Sequence, residues 1–428
     1  MPYIGPGANS GQERWTMLLH GQPEGAGGGP SAEPVIVGVG VDEDPDERAA
    51  VRRAMGMAYA LLPSEPKLLL LFCTCAYDLT RVLGAARVFS GPVPLIGGTS
   101  CSGVLSASGF TRPGERPRSV GVMAIGGSGV TAAVAQADLG EDPSAAGRQA
   151  AEAARATAPD ASSPIRAAIL LAPPGHEEAI LSGISAVIGR SVPLLGFTVA
   201  DPDVGGSWVV FSGNRMLPNS CAVALLYGDF VAGAAFSAGY WPTAHVARAG
   251  QVEGRMLGQL DGRPAAEVYA EWLGTSPGNL RGPRLRQVAA LAPLAVEDAR
   301  THRLIVKEPG TISADGRLGL FADVREGDLL RLLTATPESL VPAAGAAVSE
   351  AAMRAGLSSS SIKGVLMAQG AGRVRALREH ASEVALQVRH IAGPAALLGA
   401  STFGEQSQLP DGRPVHLNLT TSVLVFGY

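Results

Sequence analysis

Residues 93–103 read VPLIGGTSCSG, an apolar run that ends in two glycines followed by hydroxyl-bearing residues around Cys101. A similar order occurs at 192–201, VPLLGFTVAD, and again at 394–405, PAALLGASTFGE. Only the first copy contains a cysteine, so the common feature is glycine followed by small or hydroxyl residues. Since glycine permits positive φ and close backbone approach, we interpret the three stretches as one repeated backbone turn.

The same order of elements leads to each of these turns. Apolar strands are predicted at 68–74, 167–173 and 364–370, and each is followed by a helix, the glycine turn and a further strand. Upstream of each apolar strand lies a helix whose start combines an N-cap residue with proline: Asp44-Pro45, Asp142-Pro143 and Thr336-Pro337. The pattern predicts an α/β fold with mixed sheets, built from three related β-α-β-α-β-β units of about 100 residues each.

This repeat predicts the division of the chain. Two units fill a first domain at 34–230, and a second domain at 231–428 holds an inserted β-rich region, 231–327, and the third unit, 328–428. The third unit is predicted to begin with the strand at 329–335. Residues 1–33 are rich in Gly and Pro and are expected to form a flexible tail.

Composition excludes several classes of function. Hydrophobic residues make up 46% of the chain and charged residues 17%, and the net charge of −4 leaves no basic field for nucleic acid. Four cysteines in 428 residues are too few for a disulfide framework. No apolar stretch reaches the length of about 20 residues needed to cross a bilayer. We therefore expect a cytoplasmic protein without membrane insertion.

Six stretches together resemble a known family. They are VPLIGGTSCSG (93–103), SVGVMAIG (119–126), GRPAAEVYAEWLG (262–274), RLGLFADVREGDLLRLL (317–333), GASTFGE (399–405) and NLTTSVLV (418–425). In this order they resemble the N and C domains of the FIST signal-transduction family, from about Val35 to the end of the chain. The resemblance implies an intracellular sensory module for a small ligand such as an amino acid. A separate partner, such as a histidine kinase or a cyclic-dinucleotide enzyme, would then supply the output.

One residue departs from the family pattern. Members usually carry a cysteine in the strand before a Gly-x-x-Arg loop of the C domain, and here the stretch MAQGAGR has Gln369 at that place. Any role of that thiol in other members therefore does not carry over to this chain.

Polar residues near the repeated turns are the candidate ligand contacts. In QGAGR (369–373) the glycine amides and Arg373 could bind a carboxylate or phosphate, and Glu405 could bind an ammonium group. We expect Arg373 and Glu405 to reach one cavity, although each could instead be an ordinary loop residue. The full set is Gly97, Gly98, Thr99, Ser100, Cys101, Gln369, Gly370, Gly372, Arg373, Ser401, Thr402, Glu405 and Asn418. No catalytic residue, metal or cofactor is predicted.

Two other functions stay open at this point. Cys101 could be the nucleophile of a thiol-dependent hydrolase or transferase, although a small buried thiol is the simpler interpretation. Some FIST members bind haem and sense nitric oxide, and His380 or His390 could be a haem ligand here. A zinc site from Cys73, Cys75 and Cys101 would require the strand to end before Cys75.

Overall fold

Helices separate groups of strands in the first half of the chain. The computed structural model describes residues 33–111, 117–158 and 163–428, so the predicted tail lies outside the described residues except for Glu33. The strands of this half are β1 (Ile36–Asp42), β2 (Leu68–Cys73), β3 (Leu95–Thr99), β4 (Val104–Ser106), β5 (Gly109–Phe110), β6 (Val120–Gly126), β7 (Val130–Asp138), β8 (Ile165–Ala172), β9 (Leu194–Thr198), β10 (Val210–Ser212), β11 (Arg215–Leu217) and β12 (Ser220–Gly228). The helices are α1 (Glu47–Tyr59), α2 (Leu79–Ser90), α3 (Pro143–Ala156) and α4 (Glu177–Ile188).

The second half contains more and shorter strands. They are β13 (Val231–Ser237), β14 (Trp241–Glu253), β15 (Met256–Leu260), β16 (Arg263–Pro264), β17 (Leu294–Glu297), β18 (Leu304–Lys307), β19 (Pro309–Ile312), β20 (Leu318–Leu320), β21 (Leu329–Thr334), β22 (Ile362–Gly370), β23 (Ala396–Thr402), β24 (Glu405–Gln408), β25 (Pro414–Leu417) and β26 (Thr421–Gly427). The helices are α5 (Ala265–Trp272), α6 (Pro283–Ala289), α7 (Pro337–Leu340), α8 (Pro342–Ala355), α9 (Ala371–Leu377) and α10 (Glu383–Ala392). The chain is thus mixed α/β.

Capping residues fix the helix starts. Asp142 accepts hydrogen bonds from the amides of Ser144 and Ala145, and Thr336 forms a reciprocal capping box with Ser339. The first helix differs from the sequence prediction, because Asp46 caps it instead of Asp44. Asp44 lies outside the helix, where its carboxylate accepts the amide of Asp46 and pairs with Arg53.

Three six-stranded mixed sheets share the order of their first four strands, counted from one edge. The orders are β1-β6-β2-β3, β7-β12-β8-β9 and β13-β26-β22-β23, each followed by two more strands. In every sheet the last two of these four strands are parallel to each other, and the other pairings are antiparallel. Each parallel pair is joined through α2, through α4 or through the segment that holds α9 and α10.

The outer two strands of each sheet come from elsewhere in the chain. After β3 the chain forms the hairpin β4–β5, and β4 pairs with β23 of the third sheet. After β9 it forms β10–β11, and β10 pairs with β3 of the first sheet. After β23 it forms β24–β25, and β24 pairs with β9 of the second sheet. Each sheet therefore receives a hairpin from the chain segment of another sheet, and these exchanges form a closed cycle that links all three sheets.

The β-rich region of the second half forms its own sheet. Its strand order is β18-β17-β21-β14-β15-β20-β19, with β16 paired to β15. The sequence analysis placed residues 231–237 in this region and 329–335 at the start of the third unit, and the structure exchanges these two strands. β13 pairs with β26 in the third six-stranded sheet, whereas β21 pairs with β14 and β17. Since both strands are short and apolar, periodicity could not tell them apart.

A shared apolar core lies between the three six-stranded sheets. Leu70 and Phe72 of the first sheet, Phe197 of the second and Leu366 of the third belong to this core, and the rings of Phe72 and Phe197 lie 4.8 Å apart. The opposite face of each sheet packs against its own helices. All six residues of β2 are consequently buried, as its unbroken apolar sequence predicted.

Within the described part of the chain, no helix is long and apolar enough to span a lipid bilayer.

Gly97 allows the first parallel pair to approach closely. A Cβ atom built on Gly97 would lie 1.8 Å from the carbonyl oxygen of Leu71 on the neighbouring strand. We expect Gly97→Ala to lower the free energy of unfolding by about 3 kcal/mol or more, because the core cannot accommodate the methyl group without moving backbone.

Gly84 provides the matched control for this substitution. It lies on the exposed side of α2 with no atom near its missing Cβ, so Gly84→Ala should raise the free energy of unfolding by about 0.5–1 kcal/mol. Urea denaturation of the two variants measures both changes. A Gly97→Ala protein as stable as the wild type would contradict the packing argument.

Candidate functional site

The three strand ends that follow β3, β9 and β23 meet at one place. The amide of Cys101 donates to the carbonyl of Ser401 at 2.9 Å, and the amide of Ala200 donates to the carbonyl of Thr99 at 3.1 Å. The amide of Phe403 donates to the carbonyl of Thr198 at 3.1 Å and completes the set. We call residues 99–101, 198–200 and 401–403 the strand-end junction.

The glycines of the repeated stretches lie in strands, which corrects their predicted position on a turn. Gly97 and Gly98 are buried within β3, and the chain leaves the strand only at Ser100. A Cβ atom on Gly98 would lie 2.3 Å from Cγ1 of Val199, across the junction. The close packing of the sheets therefore requires these glycines.

Most of the hydroxyl groups at the junction form hydrogen bonds with protein atoms. Ser100 Oγ donates to the carbonyl of Gly103 at 2.5 Å and accepts the amide of Ser401 at 2.8 Å. Thr99 Oγ1 accepts the amide of Val209 at 3.1 Å, and Thr402 Oγ1 donates to Glu405 at 3.2 Å. These predicted ligand contacts stabilise the junction.

A cavity of about 470 Å³ opens beside the junction. Its lining comes from both halves of the chain: Cys101, Ser102, Phe110, Thr111, Pro117, Pro202, Val374, Arg375, Arg378, Glu379, Ala381 and Ser382. The cavity lies beyond the carboxyl ends of β3 and β9 and beside α9, which follows β22. This is the edge where open α/β sheets bind ligands. Of the predicted contacts, Cys101 is the one that lines this cavity.

Two exposed arginines, Arg375 and Arg378, give the cavity positive charge. Neither guanidinium makes a hydrogen bond or ion pair with any residue that the structure describes. Neither arginine is among the predicted contacts, although their spacing of three residues is that of neighbours on one side of a helix. The helix predicted after the third apolar strand is in fact broken, because Arg378 adopts a positive φ of 51° and a 3-10 turn, Arg378–Ser382, follows.

The thiol of Cys101 is buried beside this cavity. Cys101 is 5% exposed, and this burial raises the pKa of its thiol, an effect that the nearby charge of Arg375 opposes only in part. Because the thiolate is the nucleophilic form, the environment disfavours covalent chemistry at this residue.

The side chain of Arg373 has a structural role, and its contact with a ligand stays a prediction. Its side chain is fully buried and donates to the backbone carbonyls of Ala238, Leu340 and Leu419. Ala238 and Leu340 lie at the two points where the chain passes between the third six-stranded sheet and the eight-stranded sheet. Arg373 therefore fixes α9 to both ends of the β-rich region and lies outside the cavity lining.

Glu405 is also enclosed within the protein. Its carboxyl group accepts hydrogen bonds from the amide of Thr420 at 2.9 Å, from Thr420 Oγ1 at 2.6 Å and from Thr402 Oγ1 at 3.2 Å. Burial is the largest influence on Glu405 and raises its pKa to about 8. The same cause raises the pKa of the nearby Glu308 to about 7.

The remaining predicted contacts lie close to these two acids. Gln369 and Ser401 are neighbours on β22 and β23, and their buried side-chain polar atoms have no partner among the described residues. Asn418 Oδ1 accepts the amide of Glu308 at 3.2 Å. Cβ atoms on Gly370 and Gly372 would lie 2.8 Å and 2.5 Å from Leu419, so both glycines are needed for packing.

One group of side chains has the spacing of a metal site. In the described part of the chain, Glu177, Glu178 and His416 are the only such group, with ligand atoms within 4.8 Å of one another. However, Arg255 Nη2 lies 2.7 Å from Glu177 and 2.5 Å from Glu178. This guanidinium pairs with both carboxylates, so a metal ion would have to displace it from them.

Two domain models of one family match most of the chain. The FIST N domain model matches residues 67–263, and the FIST C domain model matches residues 265–408. None of the curated proteins compared with the chain matches it in sequence.

Similarity to solved structures is distant. Cyanuric acid hydrolase from A. caulinodans is 10% identical with a TM-score of 0.40, over 92% of this chain and 99% of that one. T. maritima PurL complexed with ADP is 12% identical with a TM-score of 0.24, over 97% and 77% of the two chains. Similarity at this level supports no functional inference.

Arg373 and Arg375 should differ sharply in their effect on stability. Arg373→Ala leaves several buried carbonyl groups unpaired, so we expect the free energy of unfolding to fall by about 3 kcal/mol or more. Arg375→Ala, at an exposed position of the same helix, should change it by less than about 0.5 kcal/mol. Chemical denaturation of the two variants provides the comparison, and equal losses would show that Arg373 is not a structural residue.

Glu405 predicts a pH dependence of stability. Because its pKa is about 8 in the folded protein, against an ordinary value of 4.5, the folded state keeps a proton that the unfolded state releases between these values. The free energy of unfolding therefore decreases as the pH rises through this window, by at most about 1.4 kcal/mol per pH unit for one proton. Glu308 contributes in the same direction.

Glu405→Gln removes this proton exchange. Relative to the wild type, the variant should become progressively more stable between pH 5 and pH 8 in urea titrations at each pH. Glu379→Gln, at an exposed position, is the control and should keep the wild-type profile. Parallel profiles for the wild type and Glu405→Gln would refute the assignment.

Proposed function

Because this chain belongs to the FIST family, we propose that it is a sensory protein that binds a small polar metabolite in the 470 Å³ cavity. FIST domains are associated with sensory signal transduction. The observation that carries the proposal is that the cavity is lined by both matched domains. Cys101, Ser102, Thr111 and Pro202 lie in the FIST N part, and residues 374–382 contribute from the FIST C part.

The lining suggests a ligand with an acidic group. The cavity volume falls in the usual range for small-molecule sites, about 300–1,000 Å³. Arg375 and Arg378 have free donors for a carboxylate, while Val374, Pro117 and Phe110 offer apolar contacts. An amino acid fits this description, with Arg375 taking the role that the sequence analysis gave to Arg373.

A ligand in this position would couple the two domains. Since it would contact both, its binding energy would favour one relative packing of the FIST N and FIST C parts over others. A separate partner, such as a histidine kinase or a cyclic-dinucleotide enzyme, would respond to that packing. We place this activity in the cytoplasm, with no nucleic acid and no membrane insertion involved.

The shared strand orders support a threefold repeat as the origin of this architecture. Each unit would contribute four strands to its own sheet and one hairpin to another sheet. In this proposal the third unit consists of 231–237 together with 337–428, and the β-rich region is inserted between these parts.

The two alternative functions receive no specific support. Burial of the Cys101 thiol disfavours a thiol-dependent hydrolase or transferase. The side chain of His380 pairs with Glu383 at 2.7 Å and with Glu338 at 3.6 Å, so it would have to exchange these partners to bind haem iron.

Filling the cavity tests the proposal. Ser102→Trp places a large side chain in the lining, so ligands found by thermal-shift screening of amino acids and other small carboxylates should no longer stabilise the protein. For the wild type, a ligand at 100 times its Kd stabilises by about 2.7 kcal/mol.

Ser108→Trp is the matched control. Ser108 is exposed in the nearby β4–β5 turn and does not line the cavity, so this variant should bind as the wild type does. A ligand that stabilises Ser102→Trp as much as the wild type would locate the binding site elsewhere.

A further inference from the structure

We propose that a groove beside the ligand cavity binds a phosphate group, which makes the metabolite sensed by this protein a phosphorylated one. The groove has a volume of about 310 Å³ and is lined by Arg286, Gln287, Ala290, Leu291, Arg375, Ala376 and Arg378. Arg375 and Arg378 also line the 470 Å³ cavity, so the groove and the cavity are neighbours that share these two arginines. The inference rests on the proposed function, since the cavity would hold the remainder of the ligand.

Three arginines converge on the groove with unused donors. Among the described residues, none of Arg286, Arg375 and Arg378 has a side-chain hydrogen bond or ion pair. Arg286 is partly buried, and its Nε has no partner although it is shielded from solvent. A buried donor without an acceptor is costly, so this atom is suited to an anionic ligand.

Acidic residues near the groove do not cancel this positive charge. Glu379 is an exposed residue in the lining of the neighbouring cavity. Glu338 lies close enough to Arg378 for the two charges to interact. Glu308 lies close enough to Arg286 and Arg375 to be influenced by both. Burial raises the pKa of Glu308 to about 7, so near neutral pH this carboxyl group offsets only part of the charge of the arginines.

The number and shape of the donors favour phosphate over carboxylate. One guanidinium can satisfy both oxygens of a carboxylate with two parallel hydrogen bonds. Three guanidinium groups around one groove exceed that requirement, whereas a phosphate monoester offers three acceptor oxygens and a charge of about −1.5 to −2. Arg375 lies between cavity and groove, where its charge acts on Cys101 on one side and on Glu308 on the other.

Inorganic phosphate provides the direct test. Isothermal titration at constant ionic strength, with chloride as the reference anion, should show saturable binding of phosphate to the wild type. Arg286→Gln and Arg378→Asn should each weaken this binding about tenfold, as expected for loss of a hydrogen bond between charged groups. Asparagine is chosen at position 378 because it tolerates the positive φ found there.

Two controls separate this proposal from the proposed function. Arg284→Gln, an exposed arginine of α6 outside the groove lining, should bind phosphate as the wild type does. Ser102→Trp should also retain phosphate binding, although it blocks the cavity. Thermal unfolding without phosphate verifies that each variant is folded. If Arg286→Gln does not fold, Arg378→Asn alone tests the proposal.

Any of three results with these anions would overturn the inference. They are absence of saturable phosphate binding, equal phosphate affinity of all the arginine variants, and tighter binding of the dicarboxylate glutarate than of phosphate. Suppose that a non-phosphorylated ligand no longer binds Ser102→Trp but binds Arg286→Gln with the affinity of the wild type. This result would refute the phosphate proposal and leave the proposed sensory function intact.

Discussion

The cyclic exchange of hairpins between the three six-stranded sheets is the constraint on which the rest of this structure depends. β4 pairs with β23, β10 pairs with β3, and β24 pairs with β9, so each sheet is completed by strands from another part of the chain. A sheet without its visiting hairpin would expose the unpaired backbone groups of its second parallel strand. The three sheets therefore need one another, and their inner faces share a single apolar core.

This exchange also determines which polar residues are accessible to a ligand. The hairpins leave β3, β9 and β23 at the strand-end junction, where Thr99, Ser100 and Thr402 form hydrogen bonds with the protein. Buried hydroxyl groups are usually paired, and the crossing of three chain segments pairs these three. The polar groups that remain accessible lie outside the junction, in the cavity beside Cys101 and on the arginines of α9 and of the turn that follows it.

The sequence predicted much of the fold but little of the site, for physical reasons. Unbroken apolar runs such as Leu68–Cys73 and capped helix starts such as Asp142-Pro143 are local signals, and the structure contains these elements. Strand exchange between sheets is a long-range property, so neither the hairpin pairings nor the interchange of β13 and β21 could be predicted from periodicity. The predicted contacts Arg373 and Glu405 proved to be buried, because the sequence marks a polar residue without indicating which side of its helix or strand faces solvent.

The two arginines of α9 also connect the cavity with the β-rich region. Successive helical positions separated by two residues point in roughly opposite directions. Arg375 accordingly faces the cavity, while Arg373 faces inward and holds the carbonyls of Ala238 and Leu340. These carbonyls lie where the chain enters and leaves the eight-stranded sheet, so a displacement of α9 pulls on both connections at once. One short helix thus contacts both the cavity, through Arg375, and the two connections of the eight-stranded sheet, through Arg373.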